Sequence, residues 1–407
     1  MQSGDAPNPE SVEVAVVGGG PAGLTAAIAL AAKGIETALV SKREEKLDNR
    51  TTALVVGSVN ALEALGVWEL CRNHAAPLRA IRIIDDTRRL FRAPEILFAA
   101  DEIGVEAFAH NIENRHLVAA LDARAGSLAH LSRFDQAAET IVPGDDDVTL
   151  TLADGRRLRA RLVIGADGRR SSCRSAAGIE TDARAYDQAA LTVNLSHTRP
   201  HDDVTTEFHT DTGPFTLVPL PGSRSSLVWV VRATMAKRLS RLDPGVLAEA
   251  VERGSHAILG RITVEGGCGT FRLGIERARR FAAQRIALVG EAAHVIPPIG
   301  AQGLNLGLRD AAVIAELVVA ARRRGADPGA AGLMDRYDAA RRADVVTRSL
   351  AVDLLNRSLL SDLLPVQGVR GAGLYLLDRI GPLRRAVMRE GMTPMLSAPR
   401  LMRGEAI

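Results

Sequence analysis

The first forty residues carry a hydrophobic pattern that changes from strand-like to helix-like. Residues 12–17 are a short, mostly apolar and β-branched run, which leads directly into the glycine-rich segment 18–23. Residues 24–33 are rich in Ala and Leu and end before Gly34, as is typical of a helix and its stop, and residues 37–40 are apolar again. The pattern predicts one βαβ unit with a right-handed crossover.

Later segments show the shorter period of strands. Apolar and polar residues alternate between positions 78 and 92 and again between 189 and 233, which predicts antiparallel strands. Two further runs, 148–152 and 157–162, flank Asp154-Gly155 and predict a hairpin.

The last part of the chain reads as helical. Residues 304–321 have the pattern of a long helix that ends in basic residues and Gly325. Helices are predicted from there to the end of the chain. Since the chain has neither a repeat nor a low-complexity linker, its domains are expected to be interleaved.

The glycine-rich segment has the spacing of a dinucleotide-binding turn. Gly18 permits the tight turn, Gly20 lets backbone amides approach a pyrophosphate, and Gly23 lets helix and strand pack closely. An acidic residue that binds ribose is expected about 20 residues further on, but Ser41 stands at that place. The segment Ser41-Lys42-Arg43 fits either a 2′-phosphate, as in NADP, or a solvated strand end, and by itself it does not decide between them.

Composition fits a soluble globular protein and argues against a nucleic-acid partner. The chain has 407 residues, which at ~150 residues per domain predicts two or three domains. Hydrophobic residues make up 46% and charged residues 24%, which is too apolar for a disordered chain. Aromatic residues are only 3% and the net charge is +3, so neither a base-stacking surface nor a strongly basic face is expected.

Cysteine usage and apolar run lengths point to a cytoplasmic protein. The three cysteines lie far apart, which predicts neither a zinc site nor a disulfide framework. The first eight residues lack a signal-peptide pattern, and Lys33 and Glu316 interrupt the best apolar runs before the ~18 residues that a membrane span needs. We therefore expect no metal centre and no membrane-spanning segment.

Two longer motifs resemble those of a known enzyme family. Residues 162–174, LVIGADGRRSSCR, resemble the DG motif of class A FAD-dependent aromatic monooxygenases. Residues 285–310, RIALVGEAAHVIPPIGAQGLNLGLRD, closely resemble the second flavin fingerprint of the same superfamily. The form GAQGLNLGLRD, together with NRTTAL at 49–54 and GVW at 66–68, is similar to the ubiquinone-biosynthesis hydroxylases. The resemblance covers most of residues 11–345.

The resemblance implies an interleaved α/β fold like that of p-hydroxybenzoate hydroxylase. A doubly wound, Rossmann-like FAD domain would be interrupted by an antiparallel β-sheet substrate domain, and a helical tail would follow. We expect the FAD domain in residues 11–75, 108–185 and 275–345, the substrate domain in 76–107 and 186–274, and the helical segment in 346–407.

The resemblance also assigns residues to FAD. The three fingerprint glycines would hold the pyrophosphate, Ser41 would face the adenosine and Arg50 would lie near the flavin. Asp167 and Gly168 would support both FAD and the approach of the nicotinamide nucleotide. Glu291 replaces the usual Asp that contacts the ribityl chain, and its extra methylene either weakens flavin binding or is absorbed by a small backbone shift.

The loop before the long helix is the expected site for negative charge on the reduced flavin. Its free amides and the positive helix end point outward together. The flavin-facing residues of this loop would be Gly300, Gln302, Gly303, Leu304 and Asn305. The alternative is that the glycines only permit a tight strand-to-helix connection.

By resemblance, NADH or NADPH reduces FAD transiently, and O2 then gives a flavin C4a-hydroperoxide that hydroxylates a phenolic ring. The backbone carbonyl of Pro298 would lie near the substrate hydroxyl, and His294 would either relay a proton or fix its loop. The family branch implies a polyprenylated phenol in ubiquinone biosynthesis. The alternatives are a soluble aromatic acid or natural product as substrate, or a non-catalytic FAD-binding scaffold of a biosynthetic complex.

The C-terminal tail carries a basic amphipathic pattern. Leucines at 350, 354, 355, 359 and 363 have helical spacing, and residues 374–377 and Arg384-Arg385 follow. Such a helix predicts either contact with a membrane surface, peripheral to the inner membrane, or packing against the flavin domain.

Overall fold

The computed structural model describes residues 10–42, 50–87, 92, 94–298, 300–360, 379–392 and 398–407, with only the backbone described for 349–360 and 390–392. Arg43, Asn49, residues 374–377 and the side chains of the predicted tail leucines therefore lie outside the described part. No helix in the described ranges combines the length and apolar composition that a membrane span requires.

Three sheets and the helices around them make up the fold. The strands are β1 Glu10–Val17, β2 Thr37–Val40, β3 Thr51–Val55, β4 Ala75–Leu78, β5 Ala80–Asp85, β6 Ile96–Ala99, β7 Ala109–Glu113, β8 Leu131–Phe134, β9 Ala138–Pro143, β10 Val148–Leu152, β11 Arg157–Gly165, β12 Thr181–His197, β13 Val204–Thr210, β14 Gly213–Leu220, β15 Arg224–Arg232, β16 Ile262–Ala278, β17 Ala282–Ala283, β18 Ile286–Leu288 and β19 His294–Val295. The helices are α1 Pro21–Ala31, α2 Val56–Ala64, α3 Asn114–Gly126, α4 Ser172–Ala176, α5 Ala233–Leu239, α6 Pro244–Gly254, α7 Gln302–Arg323, α8 Ala331–Leu360 and α9 Gly381–Met392.

The first sheet contains the predicted βαβ unit. Its strand order is β17-β18-β11-β1-β2-β8, with β9 and β10 continuing from β11. β1 pairs in parallel with both β2 and β11, and β11 pairs in parallel with β18. These strands and helices α1 and α7 share one core with no solvent exposure at Val14, Leu24, Ile164 or Ile314. The carboxyl ends of the central strands therefore meet at one edge, where doubly wound sheets bind ligands.

The second sheet is mostly antiparallel and has the order β19-β16-β12-β15-β14-β13-β5-β6. The short strand β19 follows β18 of the first sheet along the chain and pairs with β16. It therefore links the first sheet to the second. A third, small sheet, β3-β7-β4, completes the fold. The interleaved α/β architecture predicted from the sequence is thus confirmed, whereas the division into three domains stays a prediction.

Several predicted elements match the structure closely. β2 has the predicted bounds, and β10 and β11 form the predicted hairpin with Gly155 at φ +85°. The long helix extends by two residues at each end, and Gly325 follows it in a left-handed conformation. The prediction of helices to the end is only partly right, because residues 398–407 contain just a short 3-10 turn, Leu401–Arg403.

Candidate active site

The glycine-rich turn lies at the carboxyl edge of the first sheet. Gly18 directly follows β1 and has φ +119°, a conformation that favours glycine. A Cβ atom there would lie 2.2 Å from the carbonyl oxygen of Ala166, and one at Gly23 would lie 2.0 Å from the carbonyl oxygen of Gly18. Only glycine therefore fits at positions 18 and 23, because strand β1, helix α1 and the segment after β11 lie so close together.

Gly20 differs from its neighbours because it faces open space. It is the residue before α1, and a Cβ atom there would meet nothing within 4 Å. The amides of the first turn of a helix have no partners within that helix, and the positive end of the helix dipole lies at the same place. The turn thus has the free amides that a dinucleotide pyrophosphate would need, and its role in binding FAD stays a prediction.

Ser41 stands beside this turn, at the end of β2. A Cβ atom at Gly19 would lie 2.4 Å from Ser41 Oγ, so the hydroxyl borders the nucleotide turn. The hydroxyl donates a hydrogen bond to the Lys42 carbonyl at 3.3 Å. The structure therefore places Ser41 where the ribose-binding acid stands in other dinucleotide sites, although its hydroxyl has no negative charge.

Asp167 organises the turn that leads from β11 into α4. Its carboxylate accepts hydrogen bonds from Ser171 Oγ at 2.5 Å, from the Ser172 amide at 2.7 Å and from the Cys173 amide at 3.1 Å. Gly168, the next residue, has φ +78°. Burial and the Asp167 carboxylate together raise the pKa of the Cys173 thiol well above its ordinary value, so that thiol stays protonated.

We expect Asp167→Ala to impair both flavin retention and reduction by NAD(P)H, because the turn beside the predicted pyrophosphate site loses three hydrogen bonds. Hydrogen bonds to charged groups contribute about 1.5–3 kcal/mol each, so FAD affinity should fall by at least about tenfold. FAD titration and stopped-flow reduction measure the two effects. Asp167→Asn, which keeps one acceptor oxygen, should lose less, and wild-type values for Asp167→Ala would contradict the assignment.

The first turn of α7 is fixed by the Asn305 side chain. Ala301 precedes the helix in a left-handed conformation, φ +53°. The Asn305 amide group donates to the carbonyls of Ala53 and Ala301 at 2.8 and 2.6 Å, and its oxygen accepts from the Val55 amide and Ser58 Oγ at 3.1 and 2.7 Å. The side chain thus ties the predicted amide-rich loop to the β3–α2 junction.

Close backbone contacts bring this loop to the nucleotide turn. A Cβ atom at Gly307 on α7 would lie 3.1 Å from Gly290 Cα and 3.3 Å from Ala22 Cβ on α1. Gly290 begins the 3-10 turn that contains Glu291. The two flavin motifs, separated by most of the chain, are therefore adjacent.

A cavity of about 350 Å³ lies between the second sheet and the segment that follows β18. Among its lining residues are three predicted site residues: Arg50, Glu291 and Pro298. The walls from the second sheet include Leu227, Val228, Phe271 and Leu273. The structure thus gathers three of the residues predicted near the flavin and the substrate around one largely apolar space, whereas the predicted loop residues 300–305 are not among its lining.

Phe271 and Arg169 line the cavity but were not among the site residues predicted from the sequence. Phe271 lies under the Arg50 guanidinium, with 5.3 Å from Cζ to the ring centroid. Arg169 pairs with Glu276 at 2.9 Å and lines the cavity beside Glu291. Arg169 belongs to the DG motif and could have been found there, but nothing in the sequence marks Phe271 or its contact.

His294 lies behind the cavity. Its residue is 2% exposed, it is not among the cavity-lining residues, and its Nε2 atom lies 2.7 Å from the carboxylate of Asp310. Burial alone would raise the pKa of Asp310, but Arg341, His294 and the Gly290 amide hold that pKa below its ordinary value. The carboxylate is therefore ionised, so the His294 ring donates from Nε2.

A second buried carboxylate supports the cavity wall. Glu113 accepts a hydrogen bond from the side-chain amide of Asn194, a lining residue, at 3.0 Å and pairs with Arg115 and Arg224 at 3.0 and 3.4 Å. His116 lies 3.6 Å from the same carboxylate, and burial is the largest of the effects that lower its pKa. His116 is thus mostly neutral near pH 7.

Comparisons with known proteins match this chain along most of its length. The FAD binding domain family model matches residues 11–351. Ubiquinone hydroxylase UbiL of Rhodospirillum rubrum is 37% identical over 402 residues, which cover 96% of this chain and 92% of that protein. The 3-demethoxyubiquinol 3-hydroxylase of Escherichia coli is 29% identical, with 93% of this chain and 98% of that protein covered.

Solved structures show the same fold at low identity. The p-nitrophenol 4-monooxygenase PnpA of Pseudomonas putida superposes with a TM-score of 0.78 at 20% identity, covering 94% of this chain and 98% of that one. Together with the close approach of the glycine turn, the segment after β11 and helix α7, these matches mean that the chain belongs to the FAD binding domain family, in the group of FAD-dependent aromatic monooxygenases that includes the ubiquinone hydroxylases.

Proposed function

We propose that this enzyme hydroxylates the ring of a polyprenylated phenol in ubiquinone biosynthesis, with NADH or NADPH as reductant and O2 as oxidant. The observation that carries the proposal is the largely apolar cavity beside the flavin motifs, combined with ubiquinone hydroxylases as relatives along nearly the whole chain. The cavity volume of about 350 Å³ suits one aromatic ring, so a prenyl chain would have to extend through the opening of the cavity.

The protein residues would bind, orient and exclude water. FAD, when bound, supplies the electron transfer and oxygen activation that side chains cannot provide. The amides before α1 would hold its pyrophosphate, and those before α7 would face negative charge on the flavin ring. The apolar side chains of the second sheet would keep water from the ring, and the Pro298 carbonyl would accept a hydrogen bond from the substrate hydroxyl.

The test is turnover with matched substrates. Purified protein should be yellow with non-covalent FAD and should couple NAD(P)H oxidation to hydroxylation of a short-chain prenylated phenol. A strain lacking the gene should accumulate quinone precursors. If bound FAD is not reduced by NAD(P)H with any aromatic ligand present, the scaffold alternative gains support instead.

A soluble aromatic acid is the second candidate substrate. Arg50, Arg169 and Arg272 line the same cavity, and guanidinium groups bind carboxylates in paired hydrogen bonds. Comparison of kcat/KM for an aromatic acid and for a prenylated phenol of equal ring substitution decides between the two. A higher value for the acid would overturn the polyprenyl proposal and leave the hydroxylase activity in place.

We also propose that α9 contacts an anionic lipid surface, where a polyprenyl substrate would reside. Met388 packs the helix against Ala100 and Phe108, and Arg384 pairs with Glu102 at 2.7 Å. Three large apolar residues of this segment are exposed, Ile380, Leu383 and Val387, and Leu97 of β6 is exposed as well. Arg385 and Arg389 are the exposed basic residues of the same helix. An apolar patch with basic neighbours is typical of helices that lie in a membrane interface.

Replacement of both Leu383 and Val387 by Asp should lower binding to vesicles that contain anionic lipid by at least about tenfold, because two inserted apolar side chains are lost and two negative charges that the lipid repels are gained. Sedimentation with vesicles measures the effect. Val142→Asp, at a valine that is 59% exposed elsewhere on the protein, is the matched control. Absence of vesicle binding by the unaltered protein would instead leave a biosynthetic complex as the partner of this patch.

A further inference from the structure

A buried group of charged residues lies directly behind the segment Gly290–Pro298, part of which lines the cavity. We call Asp310, Arg341, Asp344 and Arg309 the Asp310 cluster. Asp310 has no solvent exposure, and the Arg341 side chain is 2% exposed. Arg341 Nε donates to Asp310 at 2.6 Å and its Nη1 donates to Asp344 at 2.7 Å, while Arg309 pairs with Asp344 at 2.9 Å.

Asp310 holds both ends of the turn that carries Glu291. It accepts from the Gly290 amide at 2.9 Å and from His294 Nε2 at 2.7 Å. The residues that follow, Val295 to Pro298, line the cavity. One carboxylate on α7 therefore fixes the start of the segment that brings Glu291 and Pro298 to the flavin and the substrate.

Arg341 makes this arrangement depend on a second helix. A buried carboxylate without a partner is very costly, and its main cation here comes from α8. The geometry points to Asp310 and Arg341 as positioning residues: the Arg341–Asp310 pair keeps the Gly290–Pro298 segment in the conformation that binds FAD and places Pro298. This inference rests on FAD binding by the chain and not on the identity of the substrate.

The same arrangement gives His294 a positioning role. Its Nε2 is engaged by Asp310, and its buried Nδ1 has no hydrogen-bond partner in the described part of the chain. The ring also does not line the cavity. To relay a proton to the substrate, His294 would need a hydrogen-bond partner at Nδ1 or contact with the cavity. To hold the loop in place, it needs only the hydrogen bond at Nε2.

The decisive variant is Asp310→Asn combined with Arg341→Met, which removes both buried charges together and so avoids leaving one unpaired. We expect a cooperative melting transition, a dissociation constant for FAD raised at least about tenfold, a changed visible circular dichroism spectrum of bound flavin, and kcat lowered about 10²-fold, since small misplacements have effects of that size. The KM for NAD(P)H should change less than threefold. Wild-type FAD affinity and kcat in this folded double variant would overturn the inference.

Two further variants keep the inference testable if the double variant does not fold. Arg341→Lys keeps the charge but cannot bind both carboxylates in the same fork, so FAD affinity should fall several-fold; an unchanged affinity would overturn the inference. His294→Leu should lower FAD affinity and kcat together, and His294→Gln, whose amide can replace the Nε2–H donor, should rescue most of the loss. If His294→Gln restored FAD affinity but not kcat, the result would instead support a proton relay by His294.

A matched control removes another ion pair of α8. Arg280 pairs with Asp335 at 2.8 Å, but both side chains are at least half exposed. Arg280→Met should therefore leave FAD affinity and kcat as they are. If the unaltered protein bound no FAD, the assignment to the family's FAD chemistry would fail, which is distinguishable from failure of the Asp310 cluster alone.

Discussion

Gly23→Ala is expected to destabilise the fold and to weaken FAD binding strongly. The new methyl carbon would lie 2.0 Å from the Gly18 carbonyl oxygen and 2.9 Å from Ala166 Cβ, and no real contact is so short. Helix α1 cannot move away, because its residues from Ala22 to Ala31 are all buried. Overpacking of this kind costs ~1–3 kcal/mol or more. We expect the free energy of unfolding to fall by that amount and FAD affinity to fall by about 10²-fold, as measured by urea unfolding and FAD titration.

Gly20→Ala is the matched control for the backbone effect. Its methyl carbon meets no atom within 4 Å, so the free energy of unfolding without FAD should stay within about 1 kcal/mol of the wild-type value. FAD affinity should nevertheless decrease, because the methyl group occupies the space in front of the α1 amides. If Gly20→Ala retained full affinity, the pyrophosphate would have to lie elsewhere.

Gly303→Pro is expected to lower the midpoint potential of the bound flavin by about 60 mV. Proline deletes one amide donor from the first turn of α7, and loss of such a donor costs ~3 kcal/mol by analogy with oxyanion holes. For a two-electron couple, ~3 kcal/mol corresponds to roughly 60 mV. Proline is tolerated in the first turn of a helix, and a Cβ atom at Gly303 meets nothing within 4 Å, so the change should leave the fold intact.

Gly303→Ala distinguishes the loss of the amide donor from the effect of added side-chain bulk. It retains the amide and fits the same open space, so its midpoint potential should equal that of the wild type within about 10 mV, a difference under 1 kcal/mol. Spectroelectrochemical titration of both FAD-loaded variants measures the difference. Equal potentials in the Pro and Ala variants would mean that the loop is only a structural connection.

Features that depend on neighbouring residues were predictable from the sequence. The nucleotide turn, the hairpin at Asp154-Gly155 and the long helix each follow from local spacing, since turns, caps and apolar periods act over a few residues. The structure confirms their elements. The roles of the individual site residues stay predictions, although the structure does bring Arg50, Glu291 and Pro298 to one cavity.

Features that depend on tertiary partners were not predictable. Phe271 is one of several apolar residues in β16, and only the fold brings it under Arg50. Arg341 is one of many arginines in the last helices, and its spacing gives no sign of a bond to Asp310. For His294 the sequence left two roles open, because burial is set by how α7 and β19 pack and not by the motif itself.

The pairing of β11 with β18 constrains how the chain folds during synthesis. Val163 to Gly165 pair with Ile286 to Leu288, so this end of β11 has an unpaired edge until residues 166–285 have left the ribosome. At ~5–20 residues per second, that interval lasts roughly 6–24 s. Exposed apolar edges of this kind promote aggregation. Nascent or truncated chains that end inside the second sheet should therefore depend on chaperones more strongly than the completed protein does.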